Sequence, residues 1–205
     1  MDRLILSEAP LVPEVRLFLA VDAIVLWARL EAATRSVLAA PYWASAWAGG
    51  QALARYVLDH PSAVRGKRVV DLASGSGLAA IAAAQVGARA SANDIDPLAV
   101  ASIRINAEAN DVHVTATEGD LRSRIADDVD VVLVGDALYN AELAAAVLPH
   151  LYAIAAGGRQ VLIGDPGRGH LPEWGLRPLR TYRRPGIGVL SDDGIDEVGV
   201  YALAA

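Results

Sequence analysis

Acidic residues recur in this chain where short apolar runs end, and the first of them sits in the most informative stretch. In Val69-Val70-Asp71-Leu72-Ala73-Ser74-Gly75-Ser76-Gly77-Leu78-Ala79-Ala80, β-branched residues and a leucine surround an acid. A small Gly-rich turn follows, then an Ala-rich run of helical character. This reads as a buried parallel strand, a tight turn and a helix N-terminus. Gly75 and Gly77 let a ligand approach the backbone, because no Cβ stands in the way. The helix opening near Gly77 turns unpaired N–H groups and a positive dipole end toward that ligand. Two cofactors suit such a turn. One is a dinucleotide, since Gly75-x-Gly77-x-x-Ala80 satisfies the G-x-G-x-x-A form of its fingerprint. The other is S-adenosylmethionine, and Asp71 favours it. A carboxylate there would repel a pyrophosphate but attract the ammonium of a methionine moiety, whose carboxylate the turn and helix N-terminus receive. A Gly-rich turn with no ligand is the bland alternative.

The later acids extend the same reading. Ala90-Ser91-Ala92-Asn93-Asp94-Ile95-Asp96-Pro97 is a short strand, a carboxylate and a helix start with Pro97 in its first turn. Asp94 falls one βαβ unit after Asp71, at the tip of a neighbouring strand, where a carboxylate can hold ribose hydroxyls. Asp96 is the expected N-cap of the following helix. Asp120 follows a third strand and is read as an acceptor for an adenine amino group, as a helix N-cap, or both. Asp136 and Tyr139 follow a fourth strand, Asp130-Val131-Val132-Leu133-Val134, at the sheet end where ligands of open α/β sheets sit. The alternative is that Asp136 caps the next helix and Tyr139 packs on it. Trp47, beside Gly49-Gly50, is read either as a border to the cofactor or as cover for the core's edge; Trp43 is read as core cover. Arg168 and His170 lie in a turn-rich loop at the same end and could meet a substrate, though a solvated turn suits His170.

These residues need a scaffold of alternating strands and helices. Residues 1–13 read as irregular, and Asp22 caps a helix to about Ala33 with Ile24, Val25, Trp27 and Leu30 on one apolar face. Further helices are expected from Gln51 to Asp59, from Gly77 to about Val86 with Gly87 as its stop, from Pro97 to Asn110 with Leu98, Ala101 and Ile105 as its apolar stripe, and from Glu142 to Ala156. Strands are expected at Val112–Ala116 and Gln160–Gly164. Segments near Pro178–Tyr182 and Asp196–Ala204 could pair as an edge hairpin. Arg177, Arg180, Arg183 and Arg184 form a local basic patch, read as a solvated loop or a dock for an acidic partner.

The 205 residues suggest one domain. The most apolar N-terminal stretch, Leu17 to Leu30, is broken by Asp22 and Arg29, so no membrane span is expected. Early acids argue against a signal or transit peptide, and the expectation is a cytoplasmic protein. With no cysteine, disulfides and thiolate chemistry are excluded. A net charge of −6 argues against general nucleic-acid binding.

Taken together, Asp71, Asp94, Asp120 and the Asp136–Tyr139 segment make the chain resemble the class I, seven-β-strand methyltransferases that use S-adenosylmethionine. Asp136-Ala137-Leu138-Tyr139 matches the D-x-x-Y motif of a group of protein lysine methyltransferases. Pro41-Tyr42-Trp43-Ala44, Trp47-Ala48-Gly49-Gly50-Gln51-Ala52-Leu53, Asn93-Asp94-Ile95-Asp96-Pro97 and Gly164-Asp165-Pro166-Gly167-Arg168 resemble the electron-transfer flavoprotein β-subunit lysine methyltransferases and their bacterial relatives. The resemblance implies an α/β, Rossmann-like fold: a seven-stranded, mostly parallel sheet with helices on both faces and an antiparallel C-terminal hairpin. It implies one domain over 1–205, with 1–50 as an N-terminal cap or substrate-side extension. It implies that Trp47, Asp71, Ala73, Ser74, Gly75, Gly77, Asp94, Ile95, Asp120, Leu121 and Gly135 hold S-adenosylmethionine. Asp136 and Tyr139 would serve a lysine ε-amine of a protein, suspected to be the flavoprotein β subunit, with no metal, nucleic acid or membrane involved and the enzyme a monomer. A nicotinamide-like small-molecule N-methyltransferase and a ribosomal protein L11-type methyltransferase are the alternatives. Two positions depart from the pattern. Ala73 stands where the family usually has the loop's first glycine, which is tolerable unless φ must be positive. Asn140 stands where an acid is common.

Overall fold

The computed structural model describes residues 4–120, 128–183 and 195–204. Its centre is a seven-stranded sheet of β3 (Arg68–Leu72), β4 (Arg89–Asp94), β5 (Thr115–Glu118), β6 (Val131–Gly135), β7 (Gln160–Asp165), β8 (Leu176–Arg183) and β9 (Glu197–Leu203). The spatial order is β5-β4-β3-β6-β7-β9-β8. The first five strands in that order run parallel, and β9 pairs antiparallel with both β7 and β8, as the C-terminal hairpin expected from the sequence. Four helices pack on this sheet: α2 (Ala48–Asp59), α3 (Leu78–Gln85), α4 (Pro97–Ala109) and α5 (Ala141–Ala156).

Alternation along the strands divides the core. Val69, Val131, Leu133 and Leu162 point to the face covered by α2, α3 and α4. Val70, Leu72, Val132, Val134, Val161 and Ile163 point to the face covered by α5. Because both faces are buried, these strands read as unbroken apolar runs. Asp71 is the exception within β3, an acid 2% exposed on the α2–α3 side. Gly87 ends the helix before β4 at φ 90°, as its position after the Ala run predicts.

The N-terminal residues depart from the expected irregular segment. β1 (Leu4–Ala9) and β2 (Val12–Ala20) form an antiparallel hairpin. Its register shifts between Glu8 and Ala9, and Pro13 falls in the resulting bulge, where no ladder donor is needed. The outer edge of β2 is completed by side chains of α4. Asn110 accepts from the Arg16 N–H at 2.9 Å and donates to the Arg16 carbonyl at 2.6 Å, and Asn106 accepts from the Phe18 N–H at 2.8 Å. Two amides one turn apart thus pair the strand as a neighbouring strand would.

Three more expectations are corrected. In α1 (Ala23–Thr34), capped by Asp22 as expected, no residue is buried and Ile24 is 77% exposed. Only Leu26 and Leu30 meet the small cluster of Trp43, Ala44 and Ala99; the helix is apolar on too many sides for one face to be read from sequence. In α4 the inward residues are Ala99, Val100, Ile103, Asn106 and Ala107, and Leu98, Ala101 and Ile105 face outward. The inward face packs on β2, β4 and β5, and Asn106 turns inward because it donates to the Ser76 carbonyl at 2.8 Å and accepts from the Phe18 N–H. In β5, pairing starts at Thr115, not Val112; Val114 is buried ahead of the ladder. Arg177, Arg180 and Arg183 lie exposed on the edge strand β8, where Arg183 pairs with Glu197 at 2.5 Å; Arg184 lies outside the described residues. Among the described residues, no helix is long and apolar enough to cross a membrane.

Candidate active site

The carboxyl ends of β3, β4, β6 and β7 border a cavity of about 490 Å³. A second hollow of about 370 Å³ opens beside it and shares Ala73, Asp94, Ile95, Tyr139 and Leu143 with it. The two form one cleft across the strand ends.

Asp71 organises the glycine turn. Its Oδ2 accepts from the Ser74 hydroxyl at 2.5 Å and from the Ala80 N–H at 3.3 Å, inside the first turn of α3. Burial pushes its carboxyl up to about 7, with these two hydrogen bonds opposing the shift and the nearby Asp94 adding to it. Ser74 also donates its N–H to the Asn93 carbonyl at 3.1 Å, so the turn is tied to β4. Gly75 and Gly77 have φ of 56° and 86°. Ala73 has φ 49°, the condition under which an alanine at this position carries strain.

Asp94 closes the turn from the other side. Its Oδ2 accepts from the Gly75 N–H at 2.9 Å and its Oδ1 from the Asp96 N–H at 3.0 Å. Each oxygen has a second lone pair to offer. Burial raises the Asp94 carboxyl as well, against its hydrogen bonds from Asp96 and Gly75. Asp96 caps α4 through the Leu98 N–H at 2.8 Å, as expected. Ile95 stands exposed on the rim. Asp120 lines the second hollow with Glu142, Leu143, Ala146 and Val147, where apolar side chains lie beside carboxylates. Leu121 lies outside the described residues.

S-adenosylmethionine fits these residues. The cleft has a buried, destabilised carboxylate at the glycine turn, carboxylates at Asp94 and Asp120 along its length, and the apolar side chains of Leu143, Ala146 and Val147 at its far end. A ligand with an ammonium and a sulfonium meets such an acidic wall favourably.

At the other end, Asp136 adopts φ 56° and is 7% exposed. Its Oδ2 accepts from the Gly49 N–H at 2.5 Å, and its Oδ1 pairs with Arg168 Nε at 2.7 Å. Asp136 is therefore a helix cap, but of α2. The helix that follows it in sequence, α5, is capped by Asn140, whose Oδ1 accepts from the Leu143 N–H at 2.8 Å. The long-range cap is possible because α2 starts at Ala48, three residues before the expected start, with Gly49-Gly50 inside its first turn. A Cβ on Gly49 or Gly164 would overlap the other residue's carbonyl oxygen, and one on Gly135 would lie 2.8 Å from Gly50 Cα. Gly135 lines the cavity, and its missing side chain admits the helix.

Trp47, the N-cap residue of α2, borders the cavity and donates its indole N–H to the Tyr42 carbonyl at 2.7 Å. Tyr42 stacks obliquely between Trp47 and Tyr139, with ring centroids 5.6 and 5.7 Å away. The Arg168 guanidinium lies 5.9 Å over the Trp47 ring. Burial, Tyr42 and Asp94 hold the Tyr139 hydroxyl above its ordinary range, so it is a neutral donor and acceptor near pH 7. Sequence reasoning did not single out Tyr42, whose only signal was its aromatic-rich segment. It raised Arg168 as a loop residue that could meet a substrate, and the side chain does line the main cavity. Trp43 is buried as expected, and His170 lines neither hollow.

Comparison with known proteins sharpens this geometry. Residues 52–158 match the ribosomal protein L11 methyltransferase (PrmA) family. The electron transfer flavoprotein beta subunit lysine methyltransferase of Rattus norvegicus is 38% identical over 205 aligned residues, covering 95% of this chain and 78% of the relative. Its Homo sapiens counterpart is 42% identical, covering 86% and 69%. Among solved structures, magnesium protoporphyrin IX methyltransferase of Synechocystis with bound S-adenosylmethionine superposes with a TM-score of 0.58 at 22% identity, covering 77% of this chain and 80% of that one. A ribosomal protein L11 methylase of Lactobacillus delbrueckii gives 0.55 at 20% identity, covering 77% and 79%. The structural likenesses support the fold, and the sequence relatives support the family: the chain belongs to the electron transfer flavoprotein beta subunit lysine methyltransferase family, whose members are S-adenosylmethionine-dependent protein lysine methyltransferases.

Proposed function

We propose that this enzyme methylates a lysine ε-amine on the electron transfer flavoprotein beta subunit. Identity of 38–42% to enzymes named for that substrate, over most of this chain, carries the proposal. The PrmA match at residues 52–158 lies mainly on the cofactor half and says less about the acceptor.

In this reading, Asp71, Ala73, Ser74, Gly75 and Gly77 receive the methionine end of the cofactor. Asp94 takes the ribose hydroxyls, with Ile95 on the rim. Asp120 takes the adenine amino group beside Leu143 and Val147, and Trp47 and Gly135 border the methyl-transfer point. When bound, the cofactor supplies an electrophilic methyl group. An exposed lysine near pKa ~10.4 is mostly protonated, so the protein's part is alignment, desolvation and management of the amine's charge. The rings of Tyr42, Trp47 and Tyr139 would wall a channel for the lysine's apolar stem, and aromatic faces tolerate its cationic tip. Asp136 would orient the amine, through its carboxylate or its backbone carbonyl. In the same reading, the N-terminal residues up to about 50 serve the one domain as a cap or a substrate-side extension.

The test is incubation with radiolabelled S-adenosylmethionine, with purified electron transfer flavoprotein and a host protein extract in parallel. Label on the beta subunit, lost in Asp136→Ala with cofactor binding intact, is the expected result. Label elsewhere in the extract keeps the methyltransferase and discards this substrate. No protein label, with cofactor binding measured, transfers the proposal to a small amine.

A further inference from the structure

We infer that Arg168 is a positioning residue that sets the protonation state of the methyl acceptor. Paired with Asp136, it cancels the carboxylate's charge at the end of the lysine channel, so that the bound amine gives up its proton. This rests on the reading of Asp136 and Tyr139 as the acceptor site.

Arg168 is held from both ends. Asp165, 1% exposed, accepts from the Gly167 N–H at 2.6 Å and the Arg168 N–H at 3.2 Å, fixing the turn from which the side chain departs. The guanidinium reaches back to Asp136 Oδ1 at 2.7 Å and lies over Trp47. Among the described residues lining the main cavity, it is the one cationic side chain. The titratable groups there are Asp71, Asp94 and Asp96 on the cofactor side, Tyr42 and Tyr139 at the rim, and Asp136 itself. The other oxygen of Asp136 faces the Gly49 N–H at the positive end of α2.

A buried carboxylate without that partner would be the wrong group to place beside a lysine. It would hold the lysine as an ammonium, and an opposite charge within ~4–6 Å raises such a pKa by about 1–3 units. An ammonium has no lone pair to attack with. Neutralised by Arg168 and by the helix end, Asp136 keeps its acceptor geometry and offers little net field, so the proton passes to water. The amine lone pair then forms the new N–CH₃ bond. The S–C bond breaks with its electron pair left on sulfur, and the acceptor nitrogen takes the positive charge. The methylated ammonium meets the same cancelled field and is not trapped.

The experiment is kcat against pH, from about 6.5 to 10.5, for the full enzyme with saturating cofactor and flavoprotein. This quantity reports ionisation in the bound complex. In Arg168→Gln the rising limb is expected to move up by at least one pH unit. Activity near neutral pH falls about tenfold or more and recovers in alkali, while KM does not rise. Arg168→Lys, which keeps a cation, is expected to return the limb toward its wild-type position. Calorimetric cofactor affinity and the melting temperature check that each variant is folded. A limb that does not move in a folded Arg168→Gln enzyme overturns the inference, because a purely structural clamp would lower kcat equally at every pH. Should that variant not fold, the wild-type limb decides: it must lie below the value of free lysine, and a limb at or above it overturns the inference. A wild type that labels no lysine at any pH defeats the acceptor-site reading itself. One that labels lysine, with the limb unmoved in Arg168→Gln, defeats only the role of Arg168.

Discussion

Asp71 is an acid held in the core, 2% exposed, and Asp71→Asn measures what that costs. In the folded chain its carboxyl is pushed up to about 7 by burial, whereas in the unfolded chain it ionises near its ordinary value of about 4. The native state therefore keeps a proton that the unfolded state loses. Wild-type stability falls as pH rises through the window from about 4 to about 7, and is flat above it with respect to this group. The slope is about 1.4 kcal/mol per pH unit, and the full window amounts to roughly 4 kcal/mol. Asparagine does not titrate, and its Oδ1 still accepts from Ser74 or Ala80. Every other titrating group is common to both proteins, so the difference between variant and wild type reports Asp71 together with its coupling to Asp94. Urea unfolding without cofactor at pH 5, 6, 7 and 8 should show the Asp71→Asn advantage growing by about 2 kcal/mol between pH 5 and 7 and levelling by pH 8. Cofactor binding should move the other way. The ammonium of the methionine end favours the ionised carboxylate, so wild-type affinity strengthens across the same window and the variant binds weakly throughout. A stability gap that stays constant from pH 5 to 8 would refute the reasoning, since Asp71 would then ionise like an exposed acid.

Three further substitutions follow from the backbone. Ala73 sits at φ 49°; Ala73→Gly relieves roughly 1–2 kcal/mol of strain against roughly 0.5–1 kcal/mol of added chain entropy. A stability gain of up to about 1.5 kcal/mol with cofactor affinity retained is expected in urea titrations, and a clear loss would contradict the strain. Gly164→Ala puts a methyl into the Gly49 carbonyl and against Leu53, where overpacking costs about 1–3 kcal/mol or more; a lowered melting temperature with weakened cofactor binding is expected, and an unchanged protein would show that α2 does not dock there. Asn140→Ala removes the α5 cap at about 1 kcal/mol, whereas Asn140→Asp keeps it and adds a favourable charge at the helix N-terminus, so thermal denaturation should separate the two.

Features carried by neighbouring residues were legible in the chain. β3, β6 and β7 announce themselves as apolar runs ended by Leu72-Ala73, Gly135-Asp136 and Gly164-Asp165, because a sheet covered on both faces demands such runs. The Asp96 cap and the Gly87 stop are equally local. What escaped depends on residues far apart. The N-terminal hairpin is stabilised by Asn106 and Asn110, almost ninety positions or more away, whose amides look in sequence like polar residues of an amphipathic helix. The early start of α2 depends on Gly49 meeting Gly135 and Gly164 across three elements. The aromatic rim needs Tyr42 beside Tyr139, which no spacing reveals.

Asp136 shows how a residue type can be read well and its geometry missed. An aspartate after a strand suggests a cap, and Asp136 is one, but the helix it caps begins 88 positions earlier, at Ala48. Its backbone must take φ 56° to turn the carboxylate back across the strand ends, a conformation that Asp adopts more readily than most residues. That turn brings one oxygen to the Gly49 N–H and the other to Arg168. Both oxygens of the carboxylate are thus committed to joining elements of the fold. Asp136 is therefore poorly suited to general-base work. The D-x-x-Y segment is better understood as a device that joins three elements at one point. α2 brings Trp47 and the loop after β7 brings Arg168, while the segment's own Tyr139 completes the rim. Deprotonation of the acceptor then has to come from the balance of charge around it, which makes the Asp136–Arg168 pair, and neither residue alone, the unit to perturb.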